Sequence, residues 1–157
     1  MIWIPILISS ISLIFSIWTF FYNKSRNAFK LDFSVLETYS TVSDGAYIKV
    51  AIENESANPI SVTKFMIANV PSNIKTVRNK LQIGVNWYIV TSTMPVHLNP
   101  YEASNIIIYF NVEHSFLNNK NYQHHLFTTR GKKSTFVEAK NKTKDLKTLA
   151  FNEGELQ

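Results

Sequence analysis

The chain reads as an all-β protein, an antiparallel two-sheet sandwich, preceded by one N-terminal transmembrane helix. Three observations carry that reading. Residues 1–22 (MIWIPILISSISLIFSIWTFFY) hold no Asp, Glu, Lys, Arg or His. The rest of the chain alternates apolar and polar residues over about seven short stretches, with turn signals roughly every 8–15 residues. No long amphipathic helix interrupts them.

The first segment comes first in the argument. At a 1.5 Å rise per residue it spans roughly 33 Å as a helix, enough for a hydrocarbon layer of about 30 Å. Trp3 marks one end and Trp18, Phe20, Phe21 and Tyr22 the other, as in an interfacial belt. A cleaved signal peptide fits poorly, because no basic n-region precedes the run and bulky residues stand where a small-residue cleavage site belongs. An in-plane helix would need a charged face, which is missing. Pro5 falls near the first turn, where its absent N–H costs little. Lys24, Arg26 and Lys30 follow the run directly, so the positive-inside rule places the domain in the cytoplasm. Ser9, Ser12, Ser16 and Thr19 are spaced 3, 4 and 3 along one stripe. Small hydroxylated residues so placed favour close helix–helix approach, hence self-association or a membrane partner; the bland alternative is bonding back to their own helix.

Composition bounds the remainder. The 157 residues carry a net charge of +5, and cysteine is absent. That excludes a disulfide framework, cysteine-ligated zinc and thiol catalysis. The length after the span suits one domain.

In order, residues 23–28 form a polar linker and 29–140 the sandwich domain. Phe29, Leu31, Phe33 and Val35 alternate with polar neighbours as a first strand, and Ser43-Asp44-Gly45 is a turn. Ile48, Val50 and Ile52 face one way in a second strand, and Ile60 and Val62 in a third after the 54–59 corner. Residues 71–80 read as irregular and 81–93 as one strand around Gly84. Pro95 and Pro100 interrupt any ladder over 94–104. Residues 105–112 are the most apolar strand, with Ile106, Ile108 and Phe110 on one face. Residues 122–129 and 134–140 flank Arg130-Gly131-Lys132-Lys133 as a hairpin. Residues 141–157 form a polar C-terminal tail, although Leu146, Leu149 and Ala150 keep helical spacing.

Asn54-x-Ser56-x-x-Pro59-Ile60-Ser61-Val62 resembles the B–C-type corner of immunoglobulin-like sandwiches. Leu98-Asn99-Pro100-Tyr101-Glu102 resembles the proline-containing approach to a later strand in them, and Thr128-Thr129-Arg130-Gly131-Lys132 their late hairpin. With the N-terminal span, the whole chain is similar to small uncharacterised membrane-anchored immunoglobulin-like proteins of low-GC Gram-positive bacteria and their phages. The resemblance implies a fold and an anchor, and no activity.

Chemical signatures are sparse. HExxH, GxGxxG, Walker A and GxSxG motifs are all missing. His124 and His125 would point to opposite faces of a strand, a poor metal pair, while His97 and His114 fall near loops. No catalytic, cofactor or metal residue is assigned and no cofactor is expected. The electrostatic signal lies between Lys120 and Lys147, where eight basic residues stand against Glu138 and Asp145. Arg130, Lys132, Lys133, Lys140, Lys142 and Lys144 are its candidate contacts to anionic lipid or a protein partner. Nucleic acid ranks below lipid as a partner, because the nearby aromatics sit at core positions. The functional expectation is therefore a membrane-tethered, non-enzymatic interaction module, its sandwich edges or loops meeting a membrane or cytoplasmic protein. The alternatives are a phage or mobile-element protein acting on the host envelope through its transmembrane helix, and a hydrolytic or lipid-modifying enzyme, which needs a concave polar site.

Overall fold

The computed structural model describes residues 3–40, 45–83, 85–112, 122–137 and 144–156. Helix α1 (Trp3–Arg26) is followed by β1 (Leu31–Ser40), β2 (Ala46–Asn54), β3 (Ile60–Ile67), β4 (Val70–Pro71), β5 (Arg78–Ile83), β6 (Val85–Val90), β7 (Val96–Leu98), β8 (Ala103–Phe110), β9 (Tyr122–Thr128) and β10 (Lys132–Val137). The chain then forms β11 (Lys144–Asp145), α2 (Leu146–Glu153) and β12 (Glu155–Leu156). It is thus an apolar helix followed by mostly β structure in several sheets.

α1 runs past the expected end at residue 22, so most of the expected 23–28 linker is helical. Nothing in Asn23-Lys24-Ser25-Arg26 breaks a helix, and the two cations in the last turn oppose the negative end of the macrodipole. None of its residues is buried.

Two sheets share the main core. The first has the order β11-β1-β2-β8, and the second β10-β9-β3-β4 with β7 also on β3. Phe33, Ile48, Val50, Ile52, Ile106, Ile108 and Phe110 from the first meet Ile60, Val62, Phe65, Ile67, Leu98 and Leu126 from the second. Phe65 contacts Phe33 and Phe110 edge-on, at 5.8 and 6.0 Å between ring centroids. Every expected inward residue lies in this core, Val35 at its rim. The expected hairpin is also present, with Lys132 and Lys133 inside the ladder opposite Phe127 and Leu126; residues 138–140 lie outside the described set.

Two bulges adjust the faces. Val35 pairs with Val50 but Glu37 with Lys49, leaving Leu36 as the extra residue. The slip moves Tyr39 to the opposite face from Phe33, beside Tyr47. In β3 a second slip between Val62 and Lys64 lets Ile60, Val62, Phe65 and Ile67 all point inward. Gly45 opens β2 at φ 75°, and a Cβ there would meet the Phe110 carbonyl at 2.6 Å, so only glycine fits. The Ser43-Asp44 part of the expected turn lies outside the described residues.

Two expectations need correction. Residues 81–93 do not form one strand; β5 and β6 pair as a hairpin that starts at Arg78, inside the segment expected to be irregular. The polar side chains there still pack: the Arg78 guanidinium lies over the Tyr88 ring, 4.4 Å from its centroid. Nor is 141–157 a loose tail: Leu146, Leu149 and Ala150 are fully buried, and β12 pairs with β6 to complete a third sheet, β12-β6-β5. This sheet and α2 cover the outer face of the first sheet. There Tyr39, Tyr47, Ile89, Leu146, Leu149 and Ala150 form a second core, bordered by Ile107 and Tyr109.

Candidate functional site

The chain leaves α1 at Asn27, directly beneath three corners. Asn54, at the end of β2, is buried and organises them. Its Nδ2 donates to the carbonyls of Asn58 at 2.9 Å and Asn99 at 2.8 Å, and its Oδ1 accepts from the Ser56 N–H at 3.0 Å and hydroxyl at 2.6 Å. One amide therefore joins the 54–60 corner to the 98–102 corner, two of the three segments that carried the resemblance. The late hairpin joins through Arg130, which donates to the Asn27 carbonyl at 2.6 Å and reaches the Ser56 hydroxyl at 3.4 Å. Asn58 also donates to the Asn27 side chain at 2.8 Å, and the Glu55 N–H to the Lys30 carbonyl at 3.1 Å. This end of the domain is anchored to the helix terminus.

Between α1 and these corners lies a cleft of about 370 Å³ lined by Tyr22, Ser25, Arg26, Lys30, Glu55 and Tyr101. Among the described residues the Arg26, Lys30 and Glu55 side chains make no ion pair or hydrogen bond with one another. Tyr101 is exposed at the third position of the Asn99–Glu102 turn with φ 58°, where glycine or asparagine is the usual occupant. The Glu102 N–H closes that turn on the Asn99 carbonyl at 3.3 Å, and the Glu102 carboxylate accepts from the Asn99 N–H at 2.6 Å.

Among the described candidate basic residues, Lys144 stands apart from Arg130, Lys132 and Lys133. Arg130 is spent on the Asn27 and Ser56 contacts above. Lys132 sits 5.1 Å from the Phe127 ring centroid, and Lys133 is 3.7 Å from Asp32. Lys144 pairs with Glu37 beside Tyr39, five residues along β1 from Asp32 and so roughly 16 Å from it along the strand. The Lys144 ammonium, then the Tyr39 hydroxyl, hold the Glu37 carboxyl below the usual range. Lys140 and Lys142 lie outside the described residues, as does Lys120. In the α1 stripe, Ser16 and Thr19 donate to the carbonyls of Ser12 and Phe15 at 2.9 and 2.8 Å, the back-bonding alternative.

The histidines are dispersed. His124 is buried against Phe65, its Nδ1 3.0 Å from the Tyr122 carbonyl, and burial lowers its pKa to about 4. His125 faces the other way, 2.8 Å from the Ser134 hydroxyl, and His97 lies 2.7 Å from that of Ser61. His114 lies outside the described residues. Among the described residues no three His, Asp or Glu side chains gather to hold a metal ion. A shallow groove of about 180 Å³ crosses the open part of the first sheet, over Ser34, Ala51, Ala103 and Asn105 between Asp32 and Glu53.

The cleft residues missed by sequence reasoning come from three separate segments. The available signal was Pro100-Tyr101, a bulky residue where a proline-led turn wants glycine. No protein-family model matches the chain, and no curated protein matches it significantly.

Proposed function

We propose that the chain is a single-pass, membrane-tethered interaction module without catalytic function, whose immunoglobulin-like sandwich stands on the cytoplasmic side. One observation carries the reading: α1 is long and apolar enough to cross a membrane and none of its residues is buried, while the β domain closes its two cores without it. Burying that much apolar side-chain surface in lipid stabilises by about 1.5–3 kcal/mol per large residue, which water cannot match. The three corners gathered beneath the helix support the immunoglobulin-like reading. The cytoplasmic side rests on Lys24, Arg26 and Lys30. The partner surface is the outer strand β10, where Lys132, Lys133 and the exposed Phe136 stand along a sheet edge.

The test uses a cysteine-free chain, so a single Thr148→Cys on the exposed face of α2 reports sidedness. With a membrane-impermeant maleimide, intact cells should stay unlabelled and opened cells should label. Labelling of intact cells overturns the cytoplasmic placement. Exchanging α1 for an unrelated span should leave the domain's cross-linked partners unchanged. Partners that vanish with the native helix, and not with Lys132→Glu and Lys133→Glu, would replace the module by a helix-driven protein acting through Ser9, Ser12, Ser16 and Thr19.

A further inference from the structure

We propose that the cleft between the end of α1 and the domain binds the headgroup of a phospholipid carrying both a phosphate and a primary ammonium, the phosphoethanolamine class. The proposal rests on the membrane-span reading, which puts the C-terminal turn of α1 at headgroup depth. Three features of the cleft point to this ligand.

The first is charge. Arg26 and Lys30 supply two cations from the helix end and the segment after it, and Glu55 supplies a carboxylate from the 54–60 corner. They share one cleft of about 370 Å³ yet are not paired with one another. A phosphate takes charge-assisted hydrogen bonds from the guanidinium and the lysine ammonium, and a primary ammonium donates to the carboxylate. The second is the rings. Tyr22 of α1 and Tyr101 of the 98–102 corner, both exposed, line the cleft. A tyrosine face attracts a cation, and its hydroxyl suits the wet side of a bilayer boundary. Tyr101 keeps this position despite a φ of 58°, a conformation that costs a bulky residue about 1 kcal/mol or more. The third is rigidity. Asn27, Asn54, Asn58 and Arg130 tie helix exit and corners together, so the walls are held before a ligand arrives. Glu55 also discriminates: it faces an anionic headgroup that has no ammonium with repulsion.

The full-length chain in mild detergent, mixed with dioleoyl phosphatidylethanolamine, phosphatidylglycerol or phosphatidylcholine, is read by native mass spectrometry for retained lipid. The ethanolamine lipid should be retained best. Arg26→Ala with Lys30→Ala should weaken its retention about tenfold or more, the loss of two charge-assisted bonds. Glu55→Gln should weaken ethanolamine retention and leave glycerol-lipid retention equal or higher. Tyr101→Gly, which suits the turn, should lower retention without lowering the melting temperature. Equal or better retention of phosphatidylglycerol by the unaltered chain overturns the proposal, as does unchanged retention in the double variant. Alkaline extraction of cell membranes separates the two failures. A chain that is extracted loses the span and the cleft together, whereas one that stays in the membrane but shows no lipid preference loses the cleft alone.

Discussion

At the scale of single residues, two buried polar side chains set the chemistry of the interior. Asn54 uses both halves of its amide, donating from nitrogen to Asn58 and Asn99 and accepting at oxygen from Ser56. Asn54→Ala removes the partner of the buried Ser56 N–H and a donor to the Asn99 carbonyl, while the Ser56 hydroxyl still bonds the Asn58 carbonyl at 2.9 Å; the expected loss is about 1–3 kcal/mol in a urea titration of the detergent-solubilised chain. Asn54→Asp should be worse than alanine at neutral pH, because a carboxylate would face two carbonyl oxygens; a milder aspartate would mean that the two donated bonds do not hold the corners together. His124 behaves differently. Its neutral ring is buried, and its folded pKa of about 4 lies below the unfolded value near 6.5. The unfolded chain therefore takes up the proton first as pH falls. The native state keeps its full stability above about pH 6.5 and loses roughly 3 kcal/mol as pH falls toward 4. His124→Phe should flatten that part of the profile, measured as urea midpoints between pH 7 and 4.5. An equal slope in the variant would assign the loss to other groups.

At the scale of elements, the strands whose alternation runs unbroken were legible, and those broken by a bulge or packed only against the second core were not. Ile48, Val50, Ile52, Ile106, Ile108 and Phe110 alternate strictly with the residues of the opposite face, and no bulge shifts β2 against β8. Ile108, opposite Ile48 on β2, is the central example. Ile108→Ala should cost about 2–5 kcal/mol through lost burial and a cavity, whereas Asn105→Ala, exposed on the same strand, should cost under about 0.5 kcal/mol. Similar costs at both positions would put the register off by one. The bulges at Leu36 and Thr63 were invisible because an extra residue reverses the alternation without any change of composition. The β5–β6 hairpin was hidden for another reason. Arg78 and Lys80 look like loop residues, yet they are the outward side of a strand whose inner side is Asn79 and Leu81. The cleft was the least legible part of all. Arg26, Glu55 and Tyr101 are far apart in sequence, and only the closing of three corners under α1 assembles them.

At the scale of the whole molecule, the first sheet is the middle layer: the second sheet covers one face, and the third sheet with α2 covers much of the other. That arrangement explains why Tyr47, Ile107 and Tyr109, on the face away from the main core, are aromatic or branched rather than charged. It also gives the C-terminal segment a structural task. Asp145 caps α2 by accepting from the Lys147 N–H at 3.1 Å, and Lys49 pairs with Glu153 across the layer boundary. β12 then adds its backbone to β6. Removing residues 144–157 should uncover Tyr39, Tyr47 and Ile89 while leaving the main core intact. The expected result is therefore partial. Hydrogen exchange should accelerate in β5, β6 and the Tyr39 end of β1, but remain slow in β3 and β8, which lie in the main core. Leu149→Ala should reproduce part of the effect, at about 2–5 kcal/mol for a fully buried leucine. If exchange accelerated equally in every strand, the two cores would be one cooperative unit and α2 would be part of a single fold nucleus rather than the cover of an outer layer.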